Sequence, residues 1–195
     1  MSKIARLLPL LLLMAGVAAA QQSKPAAKPQ TMATVLDGQL HGVEGEFVPA
    51  ADAMPEDKYS YAPTNGEFKG VRTFAEQARH VATINYLIGS AMLGEKPPAD
   101  IEGANENGPA SIKTKADIMA RLKASFEYLH KAYAGISEQN ALAPIKSPFG
   151  SGTTTRLGLA TLTVGHCFDH YGQMVEYLRS NGIVPPASRP QPARK

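Results

Sequence analysis

Four segments of the chain carry apolar residues at the three- and four-residue spacing of an amphipathic helix. They run from about residue 31 to 54, from about 71 to 93, from about 114 onward, and from about 153 to 181. No segment alternates polar and apolar residues for long enough to predict a sheet. Four helices in a chain of 195 residues predict an all-α protein with the architecture of an up-down four-helix bundle.

The predicted helices differ in how strongly their own residues favour helix formation. The first contains Gly38, Gly42 and Gly45, each of which costs ~1 kcal/mol relative to alanine. The third begins with a cap formed by Thr114 and Asp117. The apolar stripes of the first three helices are Met32, Leu36, Leu40, Val43 and Phe47; Phe74, Ala78, Val81, Ile84, Ile88 and Met92; and Ile118, Leu122, Phe126, Leu129 and Tyr133.

The fourth predicted helix has a clear end, because Gly182 can adopt the left-handed conformation and Pro185 and Pro186 cannot continue a helix. The connections at residues 94–113 and 135–152 are long for a bundle of this size. We therefore expect these two loops to shape or cover a site.

The first 20 residues have the pattern of a secretory signal. Lys3 and Arg6 precede an apolar run from Leu7 to about Val17, and three alanines ending at Ala20 provide the expected cleavage site. The run is shorter than the ~20 apolar residues that a membrane span needs. These features predict export to the periplasm or the cell exterior, with no stable membrane span after cleavage.

The remaining chain is predicted to comprise a proline-containing linker at 21–30, a bundle at 31–188 and a disordered tail at 189–195. Removal of residues 1–20 lowers the formal charge from +3 to +1, because Lys3 and Arg6 are lost and no acid is. A nearly neutral chain without a basic stripe is not typical of a nucleic-acid-binding protein. Cys167, the sole cysteine, cannot form an internal disulfide, so stability depends on the core.

Two histidines, His166 and His170, lie one turn apart on the fourth helix, at the boundary between its apolar arc and solvent. Such a pair can bind one metal ion through two imidazole nitrogens, but two ligands alone make a poor site. The best third donor is His80, which occupies the matching edge of the second helix. The residues alone also allow the alternative that the pair arose by chance and binds nothing.

Other polar residues have less direct interpretations. Glu76, one turn before the histidine of the second helix, is a candidate general base, or else an exposed first-turn acid favoured by the helix dipole. His41 and His130 are interpreted as ordinary surface histidines. Cys167 is interpreted as a small buried hydrophobe rather than a ligand. Asp169 faces outward, as a solvated acid or at most an outer carboxylate.

Two segments, "HCFDHYGQMVEYLRSNGIVPPAS" (166–188) and "VRTFAEQARHVATINYLIG" (71–89), resemble the last and second helices of the DinB-like (DinB/YfiT) superfamily of metal-binding four-helix bundles. Members often end in a His-x-x-x-His helix followed by Gln, an aromatic-Leu-Arg segment and Asn-Gly-Ile-Pro-Pro. The lead-in "MPEDKYSYAPTNGEFKGVRTF" (54–74) is also similar to that of the family. The resemblance covers about residues 31 to 188.

This resemblance implies that His80, His166 and His170 together bind a divalent metal ion such as nickel, zinc, iron or manganese. The best-understood enzymes of the family transfer low-molecular-weight thiols or isomerise thiol adducts in the cytoplasm. The expected export of this chain departs from that pattern, which puts the thiol chemistry in doubt but not the metal. Family members often pair, so the resemblance also makes a homodimer a candidate assembly.

Three hypotheses for function remain open. A metal-dependent hydrolase or transferase acting on a small molecule predicts an open metal position and a pocket roofed by the loops at 94–113 and 135–152. A non-catalytic metal-binding or stress-associated bundle predicts a saturated ion and a large loss of stability on chelation. The third is a metal-free dimeric scaffold. In either metal-binding case we expect affinity to fall below about pH 6, where imidazoles protonate.

Overall fold

The computed structural model describes residues 29–101 and 105–190. The predicted signal peptide, most of the predicted linker and residues 191–195 of the predicted tail lie outside these residues. Within the described ranges, none of the helices has the length and apolar character needed to cross a membrane.

Four α-helices account for most of the described chain: α1 (Met32–Ala53), α2 (Phe74–Leu93), α3 (Lys115–Ala134) and α4 (Arg156–Ser180). Two three-residue strands, β1 (Pro144–Lys146) and β2 (Thr153–Thr155), form a small antiparallel ribbon before α4. Single 3-10 turns occupy Glu56–Lys58 and Pro186–Ser188. The predicted helical class and the number of helices are therefore confirmed.

Each of the four helices follows a threonine whose side-chain oxygen accepts a hydrogen bond from a backbone N–H in the first turn. These N-caps are Thr31, Thr73, Thr114 and Thr155. The fourth helix was expected to begin near residues 153–155. These three threonines instead form β2, because β-branched side chains suit a strand, and α4 begins at the next residue.

The glycine-rich first helix forms over its full predicted length. Gly38, Gly42 and Gly45 are exposed, and a Cβ at any of them would meet no other atom within 4 Å. Their conformational cost is offset by burial on the opposite face, because most of the stability of a helix in a protein comes from tertiary packing. The buried residues of α1 are Leu36, Leu40, Val43, Phe47, Ala50 and Ala51.

The bundle places α1 and α2 diagonally opposite each other, and each packs against both α3 and α4. Aromatic side chains from different elements meet in the core: the rings of Phe47 and Phe126 lie 6.3 Å apart between centroids. Tyr133 is fully buried, and its hydroxyl donates a hydrogen bond to the carbonyl of Ala160 on α4.

The directions of the helices correct the predicted up-down order. Asn85 of α2 contacts Ser125 of α3, and Ser90, farther along α2, contacts Tyr128, so these two helices run parallel. The resulting order is up-down-down-up. A parallel neighbour requires a connection that returns along the helix, which is ~30 Å long at 1.5 Å per residue. Residues 94–114 are long enough to make that return.

Candidate metal centre

Three histidines meet where α2 and α4 pack in opposite directions. The antiparallel packing follows from the hydrogen bonds of Gln77 with Gln173 and of Arg156 with the carbonyl of Met92. It brings together His80, His166 and His170 with one nitrogen from each ring within 4.8 Å of the others. The structure thus places the three predicted ligands in one cluster.

The imidazoles of this cluster face one another closely. The Nε2 atoms of His80 and His166 lie 3.0 Å apart, and the three pairs of ring centroids are separated by 4.5 to 5.1 Å. His80 and His170 are each only 5% exposed, whereas His166 is partly exposed. Solvent therefore reaches the cluster from the side of His166.

Two of the three rings are fixed by hydrogen-bond acceptors outside the cluster. Nδ1 of His80 lies 2.6 Å from the carbonyl oxygen of Glu106, and Nδ1 of His170 lies 2.5 Å from Oε1 of Gln77. A carbonyl oxygen can only accept, so each Nδ1 carries the proton and each Nε2 keeps a free lone pair. This is the arrangement in which outer partners set the tautomer of a metal-binding histidine.

The surroundings of His166 also bear on whether the three histidines suit a metal ion. Its Nδ1 is buried and has no hydrogen-bond partner among the described residues, and its Nε2 faces the lone pair of His80. In the absence of an ion, the short Nε2–Nε2 approach requires a proton between the two rings. Three convergent imidazoles fit a divalent transition metal, which prefers such nitrogen donors.

Burial keeps all three imidazoles neutral. Desolvation, together with the charge of a neighbouring imidazolium, lowers the pKa of His166 to about 4 and that of His170 to about 3. Desolvation also lowers the pKa of His80. The sequence alone predicts protonation of these histidines below about pH 6. The lowered pKa values move that protonation to more acidic conditions.

The loop that supplies the Glu106 carbonyl is held from two sides. The Arg72 guanidinium donates to the Glu106 carboxylate at 2.9 Å and to Oδ1 of Asn107 at 2.6 Å. Gly108 is buried with φ +74°, and a Cβ there would lie 2.5 Å from Oγ1 of Thr83 on α2. Only glycine allows this close approach without displacing the loop.

Glu76, the candidate general base, forms its hydrogen bonds at the start of its own helix. Its Oε2 accepts hydrogen bonds from the backbone N–H of Thr73 at 2.8 Å and from the Thr73 hydroxyl at 3.0 Å. These bonds form a capping box at the start of α2. The Glu76 carboxylate is not among the clustered donors.

Two α4 residues behave largely as expected. Cys167 is fully buried, and burial raises the pKa of its thiol to about 12, so its interpretation as a small hydrophobe is confirmed. Asp169 is exposed and accepts a hydrogen bond from Gln173. Gln173 also bonds to Gln77, which in turn bonds to His170. A chain of hydrogen-bonded side chains therefore runs from His170 to the Asp169 carboxylate.

Two groups beside the cluster were not predicted from the sequence: Gln77 and the backbone carbonyl of Glu106. Gln77 lies three residues before His80, on the side of α2 that faces α4, and a polar side chain at this spacing was a usable signal. No sequence pattern identifies the Glu106 carbonyl, because its position depends on the path of the loop.

The surface interpretation of the two remaining histidines was correct for one of them. His41 is exposed, with 63% of its side chain accessible. For His130 it was wrong: only 21% of the side chain is accessible, and both ring nitrogens contact carboxylates of α1. The carboxylates lie on α1, far from His130 in the sequence, so its own helix gave no sign of them.

Two cavities lie near the ends of the bundle. The loops predicted to roof the metal site do line a cavity of about 650 Å³, together with Leu87 and Arg156, but no histidine of the cluster borders it. A second cavity of about 510 Å³ lies between residues 61–71 and α4 and includes Gln173. No histidine of the cluster borders this cavity either. The predicted roof is therefore corrected: of the two loops only the first reaches the cluster, through the carbonyl of Glu106.

Comparisons with known proteins agree with this architecture. The family model of the DinB superfamily matches residues 39–174, which contain all three histidines. A DinB-like protein from Bacillus subtilis superposes with a TM-score of 0.56 at 17% identity, over 76% of this chain and 92% of that one. A conserved protein from Enterococcus faecalis superposes with a TM-score of 0.60 at 16% identity, over 77% of this chain and 97% of that one. These structures share the fold. No curated protein matches the sequence.

The lowered pKa values predict how stability depends on pH in the metal-free protein. Between about pH 6.5 and about pH 5, unfolded histidines bind protons that the folded cluster does not, so the free energy of unfolding should fall as the pH falls. Urea unfolding in the presence of a chelator measures this slope. His166→Gln should flatten it, and parallel profiles for the variant and the parent would contradict the assigned burial effect.

A second prediction concerns the loop. Gly108→Ala should lower the free energy of unfolding by roughly 1–3 kcal/mol, because the new Cβ meets Thr83 and the left-handed backbone is strained. The matched control is Gly42→Ala, at an exposed helical glycine with open space around it. This substitution should raise the free energy of unfolding by about 0.5–1 kcal/mol. Urea unfolding of both variants provides the comparison. Equal effects would show that the loop does not depend on Gly108.

Proposed function

Because the chain belongs to the DinB superfamily, we propose that His80, His166 and His170 bind one divalent transition-metal ion in an exported hydrolase or transferase that acts on a small molecule. One observation carries the proposal: the three imidazoles converge, and two of them are fixed by outer acceptors that leave Nε2 free. Nickel, zinc, iron and manganese all accept imidazole ligands.

The number of ligands favours catalysis over a purely structural role. Structural zinc sites are closed by four protein ligands, whereas catalytic sites have three and an open position. Among the residues that the structure describes, no fourth histidine, cysteine or carboxylate joins this cluster. A bound divalent ion supplies Lewis-acid chemistry and lowers the pKa of coordinated water. The carbonyl of Glu106 and the amide of Gln77 would hold two of the ligand rings.

The cavity of about 510 Å³ is the best candidate for the substrate-binding region. Its volume lies within the range of small-molecule sites. Aromatic rings and polar groups share its wall, including Tyr61, Phe68, Asn65 and Glu176, and Gln173 connects it to the hydrogen-bond chain behind His170. We propose a small molecule with both apolar and hydrogen-bonding parts. The bonds of Glu76 in the capping box argue for a structural role of this residue rather than for a general base.

The alternative is a non-catalytic bundle in which the ion mainly joins α2 to α4. The deep burial of His80 and His170 favours it, because an ion there would crosslink two helices of the core. Both proposals require a bound metal ion. They differ in whether the protein turns over a substrate.

Metal analysis tests the ligand set. The protein should be purified without a nickel column and analysed by elemental mass spectrometry. His80→Ala, His166→Ala and His170→Ala should each contain about one equivalent less metal than the parent, because two ligands make a weak site. Cys167→Ser is the control and should keep the parent's metal content. A fully loaded histidine variant would show that the ligand set is wrong.

Turnover then separates the two proposals. The metal-loaded parent should cleave or transfer groups on members of a panel of small esters, amides and thioethers, and His166→Ala should not. Metal binding with no turnover, combined with a large loss of stability on chelation, would favour the non-catalytic bundle. Absence of metal under every loading condition would overturn both.

Export is proposed from the amino-terminal sequence alone. Cleavage after Ala20 would leave a mature chain that begins at Gln21. The intact mass of protein recovered from the cell envelope or the medium should therefore correspond to residues 21–195. Recovery of the uncleaved chain from the cytoplasm would overturn this part of the proposal.

A further inference from the structure

A second cluster of metal-binding side chains lies between α1 and α3. Asp37 and His41 lie one turn apart on α1, and His130 lies on α3. One donor atom from each of the three residues lies within 4.8 Å of the others. Since α1 and α2 are diagonally opposite, the α1–α3 and α2–α4 interfaces are on opposite sides of the bundle. The two clusters share no residue.

The carboxylate of Asp37 lies between the two imidazoles of this cluster. Its Oδ1 is 2.5 Å from Nδ1 of His130, and its Oδ2 is 3.2 Å from Nδ1 of His41. Nδ1 of His41 also lies 3.0 Å from the backbone carbonyl of Asp37, so it carries a proton that a bound cation would replace. The two rings lie 4.0 Å apart between centroids. Two imidazole nitrogens and a carboxylate oxygen therefore face a common region at the surface.

Glu44 fixes the orientation of His130 from the other side. Its Oε2 lies 2.9 Å from Nε2 of that ring, and a carboxylate oxygen can only accept, so Nε2 carries a proton. When the ring is neutral, Nδ1 is then the nitrogen with a free lone pair, and it is the one directed toward Asp37 and His41. Such carboxylate–histidine pairs orient metal ligands in many proteins.

We propose that Asp37, His41 and His130 form a second site, which binds a divalent first-row transition cation such as Zn²⁺, with Glu44 as a positioning residue. Two nitrogens and one carboxylate oxygen are a common donor set for zinc. The side chain of His41 is 63% exposed, so water completes the coordination and the ion exchanges with solvent. The two carboxylates balance the double positive charge of the cation.

Without a cation, a proton holds the same groups together. Burial disfavours a charged His130, but the hydrogen bonds and charges of Asp37 and Glu44 outweigh it and raise the pKa of this histidine. The cation and the proton therefore compete for His130, and binding is best measured at about pH 8, where imidazoles lose their protons.

Zinc stoichiometry tests the site in the full chain. The parent, loaded with Zn²⁺ alone and dialysed, should hold about two equivalents, and His41→Ala should hold about one. His41 is exposed, so its removal leaves the fold intact, which circular dichroism checks. The matched control is Gln39→Ala, an exposed residue of the same helix outside the cluster, which should keep both equivalents.

Affinity provides an independent readout. In the His80→Ala/His166→Ala background, calorimetric titration with Zn²⁺ should show about one remaining site, and further substitution of His41 by alanine should abolish it. Glu44→Ala in that background should weaken binding roughly 10-fold or more, as expected for an outer carboxylate. If zinc content and affinity do not respond to His41→Ala, the cluster is only an ion-pair network between α1 and α3, and the proposal fails. This outcome is independent of the first site.

Discussion

The hydrogen bond between the His80 imidazole and the Glu106 carbonyl connects the topology of the bundle to its chemistry. A buried imidazole needs a partner for its N–H, because an unpaired buried donor costs about 1–3 kcal/mol. Here that partner comes from a loop and not from a helix. The loop is present because α2 and α3 run parallel, which forces residues 94–114 to return along the bundle. The connection between α2 and α3 thus also fixes the tautomer of a histidine in the cluster.

The same constraint explains the groups around the loop. The carbonyl can reach His80 only if the backbone lies directly on α2, and Gly108 makes this contact possible next to Thr83. Arg72, just before α2, holds the loop at Glu106 and Asn107. The hydroxyl of Tyr177 on α4 in turn donates to the Arg72 carbonyl. Loop, second helix and fourth helix therefore hold one another in position, and the histidine cluster lies within this arrangement.

Local patterns sufficed for the features that depend on one helix at a time. The i, i+4 spacing placed His166 and His170 on one face, and the apolar stripe of α1 outweighed its glycines. Features that depend on pairs of elements could not be predicted from these patterns. No residue pattern in either helix indicates that α3 runs parallel to α2. The contact of Glu106 could not be predicted, because every residue has a backbone carbonyl. His130 was misinterpreted because its partners, Asp37 and Glu44, belong to another helix.

The two histidine clusters differ in electrostatics, and this difference bears on function. Around the first, burial and neighbouring imidazoles disfavour positive charge, and the pKa values of all three histidines are lowered. A divalent cation bound by His80, His166 and His170 would keep its full charge in a medium of low dielectric constant and would favour an anionic or strongly polarised substrate group. Around the second cluster, Asp37 and Glu44 neutralise a cation and leave little attraction for a further anion. If both sites are filled, the charge balance therefore assigns chemistry to the α2–α4 interface and simple retention of an ion to the α1–α3 interface.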